Sequence, residues 1–216
     1  MLRRIAPYFG IIGVCGFTLC FLLNGWLRTD SYDWLHNYVS DLSYFPYGWV
    51  QIINFLVIGV GLFVFALGVL REQISTAGSV LLLIIAAFYF LSGPFVTDPM
   101  NTPQGEMTLH GMVHGVLGAV VFSLSPIASL VFGLRFRKTE GYKKLSVWSF
   151  VACRVMLLAV VFMKISQTPE SRLYPIAGLI QRCALLTFYA WIVSFALIIR
   201  KNNQQIVGRQ YGGRKI

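Results

Sequence analysis

Six stretches of apolar residues, each separated from the next by a short polar segment, occupy almost the whole chain, and each has about the 20 residues a helix needs to cross the hydrocarbon of a bilayer. They lie at about 5–27, 48–70, 77–96, 109–134, 147–165 and 176–199. Inside hydrocarbon every backbone N–H and C=O must find a partner within its own segment or in a closed barrel. The alternating pattern of a transmembrane barrel is missing. The sequence therefore predicts an all-α, polytopic membrane helix bundle with six transmembrane helices. The second and third runs are joined by so few residues that they must form a tight antiparallel hairpin. The first run exceeds the 7–15 apolar residues of a signal peptide core and has no small-residue cleavage site after it, so it is read as a span.

Composition agrees. The chain is 56% hydrophobic and 12% charged, with a mean hydropathy of +0.69, against about 45–50% and 25% in soluble domains. A net charge of +10 would suggest nucleic acid in a soluble protein. Here the basic residues lie between and after the apolar runs, where they set topology, and no nucleic-acid partner is expected. Arg3, Arg4, Arg71, Arg135, Arg137, Lys138, Lys143, Lys144, Arg200, Lys201, Arg209, Arg214 and Lys215 fall on one side, and Arg28, Lys164 and Arg172 on the other. The positive-inside rule then places both termini in the cytoplasm of a multi-pass cell-membrane protein. Residues 1–200 form the six-helix domain, and 201–216 are expected to be a basic, disordered cytoplasmic tail held near anionic lipid. The four cysteines, Cys15, Cys20, Cys153 and Cys183, all fall in apolar runs without metal-ligand spacing and read as buried thiols.

Polar residues in such a chain are costly and mark candidate sites. Residues 97–115, TDPMNTPQGEMTLHGMVHG, carry Asp98, Glu106, His110 and His114 at one membrane edge. His110 and His114 share a helical face. Counting inward at about 1.5 Å per residue, Asn54, His114 and Arg182 lie at one depth, roughly 9 Å below the outer rim. Gln51 and Ser92 are close to that level. Asp41 and Asp98 sit above, as partners for an Arg182 that must stay charged. Together they predict an outward-facing polar pocket that binds a lipid headgroup or small amphiphile, with membrane lipids as partners. Ser40, Asp41, Asn54 and Arg182 are its candidate ligand-binding residues. Arg182 reads as half of a buried ion pair, as a clamp for phosphate or carboxylate, or as a side chain snorkelling to the surface.

The competing reading is a lipid hydrolase with Asp98, His110 and His114 as catalytic residues, in one form zinc-dependent. His110, His114 and His36 would then be the metal ligands and bound water the nucleophile. The glutamate of HExxH is missing from this spacing. The glycines 111, 115 and 118 read as a helix-packing stripe beside the histidines. The aromatic segment 28–48 reads as an interfacial belt or as a lid over the pocket.

Several of these residues belong to a recognisable set. Val39-Ser40-Asp41-Leu42, Gly93-Pro94-Phe95-Val96-Thr97-Asp98-Pro99, Thr108 with His110-Gly111, and Gly178-Leu179-Ile180-Gln181-Arg182 followed by Trp191 resemble the domain-of-unknown-function 998 family. The resemblance runs to about Arg200 and implies a six-span integral membrane protein, with matched polar positions at Ser40, Asp41, Asp98, His110 and Arg182. It implies no activity. The HGMVH segment is also loosely similar in spacing to the HxxxH pair of the alkaline ceramidase and adiponectin receptor superfamily, although span count and motif order differ.

Overall fold

A computed structural model describes residues 1–44, 46–100 and 102–212, the last seven as backbone only. Among the described residues six α-helices form: α1 (Leu2–Trp26), α2 (Trp49–Arg71), α3 (Thr76–Leu91), α4 (Leu109–Phe136), α5 (Lys143–Ile165) and α6 (Ala177–Gly212), with no strand. Each helix packs against its neighbours in sequence, and α6 closes the ring against α1.

Five of the six are long and apolar enough to cross a membrane. The exception is α3, whose 16 residues give about 24 Å against a core of about 30 Å. The third span expected at 77–96 is thus a shorter helix. Its last part unwinds at Ser92-Gly93-Pro94, because proline cannot continue the hydrogen-bond ladder and disfavours helix in the residue before it.

One end of the ring carries the start of α1, the far part of α6 and the basic turns. Arg3 donates to the Arg71 carbonyl and lies 3.8 Å from the Glu72 carboxylate, while Asn203 donates to the Arg3 carbonyl at 3.2 Å. These contacts tie the start of α1, the α2–α3 turn and the far part of α6 together. α6 runs on past Arg200 to Gly212, where an irregular tail was expected; residues 213–216 lie outside the described residues. Extending a helix costs far less than starting one, and Asn203 anchors the extension.

The basic half is packed with aromatic rings. Phe65, Phe132, Phe136, Trp191 and Phe195 are fully buried, with Phe195 centred 4.9 Å from both Phe132 and Phe136. Trp191 donates its indole N–H to Ser149 Oγ at 2.9 Å, and Ser146 Oγ donates to the Gly133 carbonyl at 2.8 Å. Lipid is as apolar as these side chains, so such contacts hold through close packing and buried hydrogen bonds rather than expulsion of water. Of the four cysteines only Cys153 is buried; Cys15 and Cys183 face outward and Cys20 is partly covered, so the expectation of four buried thiols holds at one position.

Candidate functional site

At the opposite end, the segment between α1 and α2 folds down onto the start of α6. Tyr32 is 2% exposed, too deep for the interfacial belt that its aromatic composition suggests. Four attachments hold the segment there. Leu179 N–H donates to the Leu35 carbonyl at 2.9 Å, His36 Nδ1 lies 3.0 Å from the Tyr174 carbonyl, and Val39 N–H donates to Gln181 Oε1 at 2.7 Å. Arg182 donates to the Asn37 carbonyl at 2.9 Å and to the Tyr32 hydroxyl, with its guanidinium over the rings of Tyr32 and Trp34 at 5.6 and 5.2 Å. Gly178 permits the approach, since a Cβ there would overlap the Asn37 carbonyl. The loop is a fixed roof.

Arg182 therefore pairs with a carbonyl and aromatic faces, not with the carboxylates expected. The one ion pair among the described residues is Arg3–Glu72. Both expected partners are committed elsewhere. Asp41, 1% exposed, accepts from Tyr38 N–H at 2.9 Å and the Asn37 amide at 3.2 Å. Burial pushes its carboxyl up to about 6, opposed by those two hydrogen bonds and by His36 and Arg182 nearby. Asp98 accepts from Thr108 N–H and Thr108 Oγ1, each at 2.8 Å, while Thr108 Oγ1 accepts from Gly111 N–H at 3.0 Å. This is a helix cap reinforced by a second carboxylate. The carboxylate also fills the space where Gly111 would carry a Cβ.

The histidines do a related job. Where α3 unwinds, its late carbonyls lose their helical partners. His114 Nδ1 lies 2.6 Å from the Phe95 carbonyl and His110 Nδ1 3.3 Å from the Pro94 carbonyl. A nitrogen facing a carbonyl carries the proton, so Nδ1 of His114 is the donor in this contact. The metal set of His36, His110 and His114 is not assembled: His36 sits against Tyr174, and no group of three or more His, Cys, Asp or Glu among the described residues could hold a metal ion. Asn54 bridges α2 to α1, donating to the Phe17 carbonyl at 3.1 Å and to Gln51 Oε1 at 3.3 Å.

Beneath the roof lies a cavity of about 320 Å³ whose wall draws on all six helices and on the loop. Of the candidate residues it includes His114 and Ser40; Asp41, Asn54, Asp98, His110, His36 and Arg182 stand outside it. Phe17, Phe55, Tyr89, Val121 and Leu185 make the apolar floor. Polar groups in the wall include Tyr38, Ser92, Thr97, Gln167, Gln181 and Lys164, and no aspartate or glutamate among the described residues lines it. On one side the wall is thin. α4 and α5 are stitched together toward the basic end, yet a Cβ on Gly115 or Gly118 would meet nothing within 4 Å. Those two glycines do not pack a helix, as the stripe suggests; they border a cleft between α4 and α5, with exposed Ala119, Ser123, Lys164 and Gln167 on its rim.

Sequence reasoning did not single out Gln181 or Lys164 as candidate site residues. Gln181 is an amide within an apolar run, directly before the arginine that drew notice, and Lys164 registered only as one of three basic residues on its side.

No curated protein and no solved structure matches this chain. The family model described as "Protein of unknown function (DUF998)" matches residues 11–198, and with its helices apolar enough to span a membrane the chain belongs to that family.

Proposed function

We propose that this is a six-span membrane protein, with both termini in the cytoplasm of the cell membrane, whose cavity binds a lipid headgroup or small amphiphile in the outer leaflet. The observation that carries this reading is the cavity itself: a volume of about 320 Å³ with an apolar floor, a polar wall and a side opening between α4 and α5. Convergent polar groups over an apolar pocket are the general form of a small-molecule site. Sidedness follows from the basic residues gathered at the end opposite the cavity. α3 need not span fully, because Ser92 and Gly93 at its unwound end are buried and the Pro94 and Phe95 carbonyls beyond them are met by the α4 histidines.

The test is native mass spectrometry of the full chain extracted in a mild neutral detergent. One amphiphile should be retained per chain, and a Gly118→Phe variant, which fills the cleft, should lose it. Equal lipid content in both, or none in either, would overturn the reading. Hydrolysis by Asp98, His110 and His114 acting together would require Asp98 and His110 to leave the caps in which they are engaged.

A further inference from the structure

Two side chains in the cavity wall are more than nine-tenths buried and have polar atoms that no protein group satisfies. Gln181 is 6% exposed and its Oε1 is taken by the Val39 N–H, which fixes the amide orientation and turns its NH₂ toward the cavity without a partner. Ser40 is 8% exposed and its hydroxyl has no hydrogen bond among the described residues. Neither atom is sealed within protein; both reach the cavity, where a polar partner can satisfy them. Water can meet that need, but so can a ligand whose polar end accepts hydrogen bonds.

Charge narrows the class. The wall contains one cation, Lys164, at the rim of the cleft, where it is held 3.0 Å from Gln167 Oε1. With no carboxylate among the described residues of the wall, and the nearby Asp41 taken up by Tyr38 N–H and the Asn37 amide, the lining offers an anion a cation and gives a cationic head no partner. Shape narrows it further. The volume equals about ten water molecules at ~30 Å³ each, which suits a headgroup with its first carbons and not a whole lipid. Any chain must leave, and the cleft from Gly115 to Ser123 offers an exit about 12 Å long at the helical rise. On the reading that this cavity binds an amphiphile, we infer that its ligand is a single-headed anionic amphiphile, a carboxylate or phosphate monoester. Its oxygens accept from the Gln181 amide, the Ser40 hydroxyl and the Lys164 ammonium, and its chain passes between α4 and α5 into lipid.

The experiment titrates the full chain, purified in dodecyl maltoside, with dodecyl phosphate, laurate, neutral monolaurin and inorganic phosphate. Dodecyl phosphate and laurate should bind, with monolaurin and inorganic phosphate at least about tenfold weaker, the value of one charge-assisted hydrogen bond or of the lost chain. Lys164→Gln, at an exposed position, should weaken the two anionic amphiphiles about tenfold and leave monolaurin unchanged. Gln181→Glu keeps an acceptor for Val39 but replaces the donor with a negative oxygen, and should abolish anion binding. Thermal unfolding of each variant checks that it folds; should Gln181→Glu fail to fold, Lys164→Gln decides. Monolaurin binding as tightly as laurate would overturn the anionic class while sparing the amphiphile site. Inorganic phosphate binding as tightly as dodecyl phosphate would mean a free-anion site and overturn the cleft. Binding of no probe would remove both readings.

Discussion

The two halves of the bundle solve the problem of a buried interior differently. Toward the basic end, rings from α2, α4 and α6 interlock around Phe195, and most polar groups present are paired, as Ser149 is with Trp191, the buried indole N–H of Trp148 being the exception. Toward the loop end, six helices leave a cavity, the polar side chains are dense, and some have no partner. The first half shows what this sequence does when only packing is at stake. The departure of the second half from that pattern points to something other than stability having shaped it, since locally inconsistent, imperfectly satisfied regions are where function concentrates.

Matched truncations test the contrast most strongly. Phe195→Ala should cost about 3–5 kcal/mol through the cavity it leaves, seen as a large drop in unfolding temperature in detergent, whereas Ser40→Ala in the other half should change stability by less than about 0.5 kcal/mol. Equal losses would erase the distinction between a packed half and an open one.

The next effect separates the roof from the cavity. Asp41 is protonated more readily in the folded chain than in the unfolded one, because burial raises its carboxyl from 3.8 to about 6. Below 3.8 both states hold the proton and nothing is lost. As pH rises toward 6 the unfolded chain releases its proton first, so stability falls and then levels off above. The whole fall is on the order of 3 kcal/mol, since each pH step of one between the two values is worth about 1.4 kcal/mol. Asp41→Asn should remove it. Unfolding temperatures of the two proteins between pH 4 and 7 should diverge as pH increases, and parallel curves would refute the burial argument.

Smaller still is the contrast between glycines on one helix. Gly111→Ala pushes a methyl into the Asp98 carboxylate and should destabilise by about 1–3 kcal/mol, as overpacking does. Gly115→Ala and Gly118→Ala have open space and should be neutral or stabilise by roughly 0.5–1 kcal/mol, the helical preference for alanine. The same melting assay ranks all three, and a loss at Gly118 equal to that at Gly111 would mean that the cleft is closed.

Much of the architecture was legible because hydrocarbon allows so few solutions: run lengths alone set the number and order of helices. They overestimated α3, where Pro94 and Gly93 outweigh an apolar composition that continues to Val96. The polar residues drew notice as a set, but the cavity wall takes only His114 and Ser40 from among the candidates. Asp98, Arg182 and His110 look like reactive groups when read along the chain, but caps, roof attachments and broken helix ends also demand polar partners, and spacing does not distinguish those demands from chemistry. Gln181 entered only as part of the motif around Arg182, because nothing along the chain shows that its one acceptor is occupied by the Val39 N–H and its amide left facing the cavity.

Everything turns on whether the loop-end cavity opens to lipid between α4 and α5, and labelling in vesicles reads that directly. In a chain with its four native cysteines replaced by alanine, a Ser40→Cys variant should react with a maleimide carried on a fatty-acyl chain, and adding Gly118→Phe should suppress the reaction. A Ser40→Cys site that stays unreactive, or one that reacts equally with Gly118→Phe in place, would contradict the lateral opening.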